Sequence, residues 1–316
     1  MKKLQILMSS YNGKKYLKEQ IDAIMMQDCE EKGLAEFTLL VRDDGSLDGT
    51  QSILKEYSSK YPEKIKWYQG SNKGAIQSFF DLMANADDAD YYALADQDDY
   101  WFPQKISAGI KMLKKMGTNN VPLLYCCRPT LTDKNLKLLP VNVDNPKMRP
   151  SFGNALIENI VTGCTTVFNN KLRQMAINKL PKFTTMHDRW LYLIATCFGK
   201  IYYDEKSYIL YRQHEGNAVG KNTEKLAELK YRIKKFTKDS SSSSRQAVEF
   251  MRIFHSEFKK NNRYKKIKNN EKLLRLFIHG KKNINIRIKL IKIGRIYRQR
   301  YLDNQIFKIL VLFGLY

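Results

Sequence analysis

Asp96, Asp98 and Asp99 crowd three carboxylates into four positions, directly after the apolar stretch 90–94. Like charges this close repel and raise one another's pKa, and a divalent cation is the economical remedy. Mg²⁺ and Mn²⁺ prefer oxygen ligands and commonly bridge one or two carboxylates to substrate phosphates. The run Ala95-Asp96-Gln97-Asp98-Asp99 therefore reads as a metal–diphosphate site at the carboxyl end of a strand, where open α/β sheets bind ligands. A plain turn would account for Asp99 differently, as a helix N-cap ahead of Trp101-Phe102-Pro103.

Three earlier segments have the same character. Ser9-Ser10-Tyr11-Asn12-Gly13 closes a first strand with a small polar turn that a nucleotide could approach. Arg42-Asp43-Asp44-Gly45-Ser46-Leu47-Asp48-Gly49-Thr50 closes a second. A carboxylate there can accept from the imide N–H of a uracil or thymine ring. Its glycines permit a tight turn, and Asp48 or Thr50 can cap the following helix. Asn72-Lys73-Gly74 follows a third strand.

The elements that must position these residues alternate. Strand-like stretches at Leu4–Met8, Phe37–Val41, Ile65–Tyr68 and Tyr91–Leu94 are separated by helical periodicity over Lys15–Met26, Thr50–Tyr61 and Ala75–Asn85. This βαβ alternation predicts a largely parallel sheet with right-handed crossovers. Lys105–Met116 reads as a helix and Leu123–Cys126 as a strand. Thr130–Pro150 reads mostly as loop. Phe152–Phe168 and Asp188–Phe198 read as further elements of the same body, with late strands at Ile201–Tyr203 and Ser207–Tyr211. Ser240–Ser244 reads as a surface turn or loose linker. Helical segments Glu224–Lys238, Gln246–Lys259, Glu271–His279 and Ile288–Tyr301 complete the chain.

Four such loops on the carboxyl edge of one sheet, the acidic cluster last, resemble the family 2 glycosyltransferases of the GT-A fold, over roughly residues 1–220. The resemblance implies an α/β, Rossmann-like, mostly parallel sheet flanked by helices, and a nucleotide-diphosphate sugar as donor. It implies donor contacts from Ser9, Tyr11, Asp43, Asp44, Asn72, Gly74, Asp96 and Gln97. Among these, Ser9 and Tyr11 would lie at base and ribose, and Asp44 would read the pyrimidine. It makes Asp98 the ligand of Mn²⁺ or Mg²⁺. Met186-His187-Asp188-Arg189-Trp190 occupies the place of the catalytic-base motif, with Asp188 as the base; His187 departs from the family's frequent Glu. Tyr211-Arg212-Gln213-His214 resembles a loop covering the nucleotide, with His214 a further metal or diphosphate ligand. Trp101, Thr162, Gly163 and Trp190 fall on the acceptor side. Within the family the likeness is to bacterial rhamnosyltransferases and capsule or cell-wall enzymes. It implies an inverting transfer, with dTDP-rhamnose the leading donor and a UDP-hexose the alternative.

Charge divides the chain. Of a net +23, residues 221–316 carry +19 and the first 220 only +4. The expected organisation is a catalytic domain at 1–220 (donor half about 1–103, acceptor half about 104–220) and a basic helical region at 221–316. Leu, Ile and Phe beside clustered Lys and Arg suit helices lying on an anionic membrane or packing on another subunit, and the family resemblance implies a homo-oligomer as a further expectation. Each cation near such a surface contributes on the order of 1 kcal/mol. A lipid-linked saccharide acceptor would be found there. No signal peptide is visible, and the late apolar run Ile309–Leu315 is too short to span a bilayer. Five cysteines without metal-ligand spacing suit reduced thiols. The expected location is cytoplasmic, at the inner face of the cell membrane. The different-class alternative is a basic nucleic-acid- or membrane-binding protein without catalysis. No nucleic-acid-binding signature is recognisable, and the acidic turn would repel a polyanion, so no nucleic-acid partner is expected.

Overall fold

A computed structural model describes residues 1–117, 120–140, 146–213 and 225–316, with side chains in the last stretch from 241 onward. The chain divides into two compact units that interleave in sequence. The first comprises 1–141, 161–180 and 199–217; the second comprises 142–160, 181–198 and 218–316. The division is thus not a single cut near residue 220. Segments 142–160 and 181–198, read from sequence as parts of the catalytic body, pack with the basic C-terminal region.

The first unit is α/β, with the mostly parallel sheet that the alternation predicts. Its strands are β1 (Lys2–Ser10), β2 (Ala35–Asp43), β3 (Ile65–Gln69), β4 (Tyr91–Asp96), β5 (Tyr100–Trp101), β6 (Leu123–Cys127), β7 (Thr130–Thr132), β8 (Val167–Asn169), β9 (Lys200–Asp204) and β10 (Ile209–Arg212). Seven form one sheet in the order β3-β2-β1-β4-β8-β6-β9; β5, β10 and β7 form a small second sheet. β1 runs parallel to β2 and β4, and β2 to β3. Only β8 is antiparallel to its neighbours in the large sheet. Strands covered on both faces need apolar side chains in both directions, and Leu4, Ile6, Leu7 and Met8 of β1 are all buried. The helices are α1 (Leu17–Met25), α2 (Thr50–Lys60), α3 (Gly74–Asn85) and α4 (Lys105–Met116). Their buried stripes, such as Leu17, Ile21 and Ile24 on α1, face that core. α2 follows Gly49, whose φ of 92° few other residues tolerate, and Asp48 accepts from the Thr50 N–H.

The described part of the second unit is helical: α5 (Phe152–Ala155), α7 (His187–Phe198), α8 (Lys225–Lys260), α9 (Lys265–Gly280), α10 (Ile284–Ile293) and α11 (Tyr301–Leu312). The remaining helix, α6 (Asn170–Ile177), belongs to the first unit. An aromatic core of Phe152, Trp190, Phe198, Phe250, Phe254 and Phe258 joins α5, α7 and α8. Two expectations are corrected here. Ser240–Ser244 is no linker but lies inside α8: Ser243 is buried and accepts from Arg189, and Ser244 donates to the Tyr316 carbonyl. Tertiary packing overrides the weak helix preference of serine. Ile288–Tyr301 is not one helical segment, because Gly294, at φ 64°, ends α10.

Candidate active site

The carboxyl ends of β1 to β4 bring four loops to one edge, and strand register sets their order. Ser9 pairs with Arg42 on one side and Asp96 on the other, and Ser10 pairs with Asp43. The order turns around between β1 and β4, the position where open α/β sheets form a ligand crevice.

Hydrogen bonds tie the loops into one surface. Gln97 accepts from the Ser10 hydroxyl at 2.7 Å and the Tyr11 N–H at 2.9 Å, and its amide donates to the Tyr11 carbonyl. A Cβ at Gly13 would fall 2.1 Å from Gln97 Oε1, so a side chain there would displace the Gln97 amide from this position. The Asn12 N–H donates to Ser46, and Asn12 Oδ1 accepts from the Leu47 N–H. The Asp43 carboxylate accepts from Ser46 and from Gln51. Asp44 is buried; its carboxylate accepts from Arg42 and from the backbone N–H groups of Lys73 and Gly74. Asp44 thereby clasps the second loop to the third. Arg42, 1% exposed, completes the clasp by donating to the Ser71 carbonyl and the Ser78 hydroxyl. Ser9 shares a hydrogen bond with Ser78 at 2.6 Å. Tyr11, Asn72 and Gly74 are exposed.

The acidic turn is braced from behind. Arg212 on β10 donates from Nε to the Asp98 carbonyl at 2.7 Å and from its backbone N–H to the Asp99 carboxylate at 3.2 Å. Its guanidinium lies 4.3 Å from the Tyr16 ring centre and pairs with Glu19. Asp99 is fully buried and caps no helix, since α4 begins only at Lys105. Burial, then the charges of Asp96 and Asp98, push its carboxyl well above the usual carboxylate range. The 3₁₀ turn Gly163–Thr165, closed by the Thr165 N–H on the Thr162 carbonyl, carries Cys164 to it. Burial, then Asp99 and Asp96, raise that thiol as well. Lys105 is also buried, with Nζ 3.4 Å from the centre of the Trp101 ring. Burial pushes this ammonium down to about 8, while the thiols and Asp99 and Asp96 act in the other direction.

One carboxylate oxygen each of Asp96 and Asp99 and the Cys164 sulfur lie within 4.8 Å of one another, and Asp98 stands outside that group. Carboxylate oxygens suit a hard divalent cation; a neutral buried thiol does not. Asp99 Oδ2 is enclosed and accepts no N–H or O–H bond among the described residues. Asp96 and Asp98, half-buried, are the carboxylates of the turn open to solvent. The carboxylates brought together in a way that suits a cation are therefore those of Asp96 and Asp99, and Asp98, the ligand expected from the sequence, is not grouped with them. His214 lies outside the described residues.

In the second unit Asp188 sits in the first turn of α7 rather than at its cap. Its Oδ1 accepts from Asn159 Nδ2 at 2.8 Å and from the Arg189 N–H. His187 beside it is buried, and burial pushes its imidazole down to about 3. Trp101 and Trp190 are both fully buried; Trp190 packs on Phe250 and Phe254. Sequence reasoning missed the burial of Asp99, its buried neighbours Cys164 and Lys105, and the role of Arg42. Arg42 adjoins an acidic pair and Lys105 follows an acidic turn, but neither neighbourhood alone signals burial.

Comparison with known proteins gives the family and the fold. Residues 5–180 match the family described as "Glycosyl transferase family 2". The dTDP-rhamnosyl transferase RfbG of Shigella flexneri is 30% identical over 234 residues, covering 71% of this chain and 77% of its own. An uncharacterised glycosyltransferase of Rickettsia typhi is 24% identical over 271 residues, covering 82% and 80%. Among solved structures, Staphylococcus aureus TarS 1–349 with UDP-GlcNAc superposes with a TM-score of 0.54 at 16% identity, covering 99% of this chain and 91% of its own. The mannosyltransferase PcManGT of Pyrobaculum calidifontis with GDP-Man and Mn²⁺ gives 0.51 at 14%, covering 99% and 85%. At such identities the structural likeness is one of fold.

Proposed function

Since the chain belongs to family 2 of the glycosyltransferases, we propose that it transfers a sugar, with inversion, from a nucleoside diphosphate to an acceptor hydroxyl. The observation that carries this reading is the acidic turn Asp96–Asp99 at the carboxyl edge of β4, tied through Gln97 to the loop after β1. Ser9, Tyr11, Asp43, Asp44, Asn72, Gly74, Asp96 and Gln97 form or support the donor site on this reading. Asp96 and Asp98 would hold Mn²⁺ or Mg²⁺, which offsets the charge developing on the departing diphosphate. Asp188 takes the proton of the acceptor hydroxyl as that oxygen attacks the anomeric carbon from the side opposite the diphosphate. Asn159 and the Arg189 N–H fix the carboxylate for this step.

The dTDP-rhamnosyl relative supports L-rhamnose from dTDP-rhamnose as the donor sugar. The acceptor is a saccharide on a lipid carrier, elongated in surface-polysaccharide assembly at the inner face of the membrane. The basic C-terminal region supports that location.

The test is thermal stabilisation by dTDP, UDP, GDP and CDP, each with and without Mn²⁺, followed by turnover of the matching nucleotide sugar. Cation-dependent stabilisation by dTDP, lost in Asp98→Ala, is expected. Stabilisation by UDP instead would replace rhamnose with a UDP-hexose. No stabilisation by any nucleotide would remove the donor reading.

A further inference from the structure

The second unit carries a partly open pocket of about 810 Å³ that none of the residues assigned to the donor lines. The volume lies within the roughly 300–1,000 Å³ of small-molecule sites. Its walls come from residues 157–159, from 183–186 ahead of α7, from Ser242 of α8 and from the segment that leads into α11. Asn159 belongs to the lining, and the same side chain donates to Asp188. The cavity therefore adjoins the carboxylate read as the base.

The charges in the lining, the buried carboxylate of Asp303 among them, are unequally engaged. Arg189 donates to the carbonyls of Ala155 and Leu156 and to the hydroxyls of Thr185 and Ser243, so it holds the walls together. Glu158 accepts from Asn154 Nδ2 and from the Gln299 N–H, each at 2.8 Å. Arg298 is buried and donates to the Ile157 carbonyl. Arg300 differs: it is half-buried, lines the cavity, and forms no ion pair among the described residues. A guanidinium offers a planar fork that matches phosphate and carboxylate oxygens. In a partly enclosed site its attraction for an anion exceeds that of a surface arginine.

From this we infer that the cavity is an acceptor subsite for an anionic saccharide, with Arg300 receiving the oxyanion of a phosphate or carboxylate substituent. The assignment as acceptor site rests on the reading of Asp188 as base. It gives the C-terminal region a part in substrate selection, since Arg298 and Arg300 lie far beyond the family match at 5–180.

The test is calorimetric titration of the 316-residue chain in EDTA, so that no cation recruits phosphate to the acidic turn. The probes are a hexose 1-phosphate, glucuronate and a neutral methyl glycoside. At least one anionic probe should bind more tightly than the methyl glycoside. Arg300→Gln should weaken that binding tenfold or more while leaving nucleotide stabilisation with Mn²⁺ unchanged. The hexose phosphate and glucuronate arms identify which oxyanion is preferred. Equal binding of all three probes, or unchanged affinity in Arg300→Gln, overturns the inference. Binding is read here without donor or turnover, so a failed donor assay and a failed acceptor subsite are separate results.

Discussion

Asp188 carries the sharpest consequence of any single side chain. Asparagine retains an oxygen that can accept from Asn159 and from the Arg189 N–H, so Asp188→Asn should fold normally. It cannot accept the acceptor's proton, and general-base catalysis contributes about 10²–10⁴-fold. Turnover should fall by at least 100-fold with nucleotide affinity within about twofold of wild type; near-normal turnover would remove Asp188 as the base. Its neighbour His187 makes a prediction about pH. Its imidazole is pushed down to about 3 by burial, against an ordinary 6.5. Below pH 6.5 the unfolded chain binds a proton there that the folded chain refuses, so stability falls as pH falls through the window from 6.5 towards 3. The contribution to the slope approaches about 1.4 kcal/mol per pH unit. Denaturant unfolding between pH 6.5 and 5 should show a shallower fall in His187→Leu than in wild type, and parallel profiles would refute the assignment. Of the acidic turn, the sequence exposed the repulsion and its consequence, a raised carboxyl. It could not reveal that Asp99 is the residue affected. Nor could it place Cys164 and Lys105 beside it, because those arrive from elements 65 residues onward and from the following helix.

At the scale of elements, β2 and its loop depend on the buried ion pair of Arg42 with Asp44, and Arg42 Nε also lies 3.4 Å from Asp81. Arg42 and Asp44 are 1% and 3% exposed at their side chains, and both also bond to the third loop. Removing one partner of such a pair leaves a buried charge uncompensated, at a cost of about 3–5 kcal/mol. Arg42→Met should lower unfolding stability by that order. Arg42→Met with Asp44→Asn should recover part of it, because the orphaned charge is gone. Urea unfolding of both variants checks this, and additive losses would contradict it. The first four strands were legible because each is a short apolar run closed by a polar loop, and parallel strands buried on both faces read that way. The insertion of β8, antiparallel between β4 and β6, was not legible, since pairing over such separations leaves no local mark. The helical state of Ser240–Ser244 was hidden for a related reason. Serine's local preference opposes a helix, and burial of Ser243 under Arg189 decides otherwise.

At the scale of the molecule, the C-terminal region presents apolar side chains that its own core does not use. On α11 and just beyond it, Leu302, Ile309, Leu312, Phe313 and Leu315 are 42–72% exposed, while Phe307, Leu310 and Val311 are buried. α10 packs beside α11 and exposes Ile284, Ile288 and Ile293 among Lys289 and Lys292. No helix among the described residues is long and apolar enough to cross a membrane. The membrane reading predicts that these helices lie along the bilayer interface, with apolar side chains among the acyl chains and cations at anionic headgroups. That arrangement would bring the protein to the surface where lipid-linked acceptors reside. Fully burying a phenylalanine is worth roughly 1.5–3 kcal/mol, so Phe313→Ser should reduce vesicle affinity about tenfold or more. The measurement is co-flotation with phosphatidylcholine vesicles, with and without phosphatidylglycerol. Binding should require the anionic lipid, weaken as salt screens the lysines, and fall in Phe313→Ser. If Phe313→Ser instead converts a dimer to a monomer in sedimentation and leaves vesicle binding unchanged, the same face is a subunit contact and the membrane role of α10 and α11 is refuted.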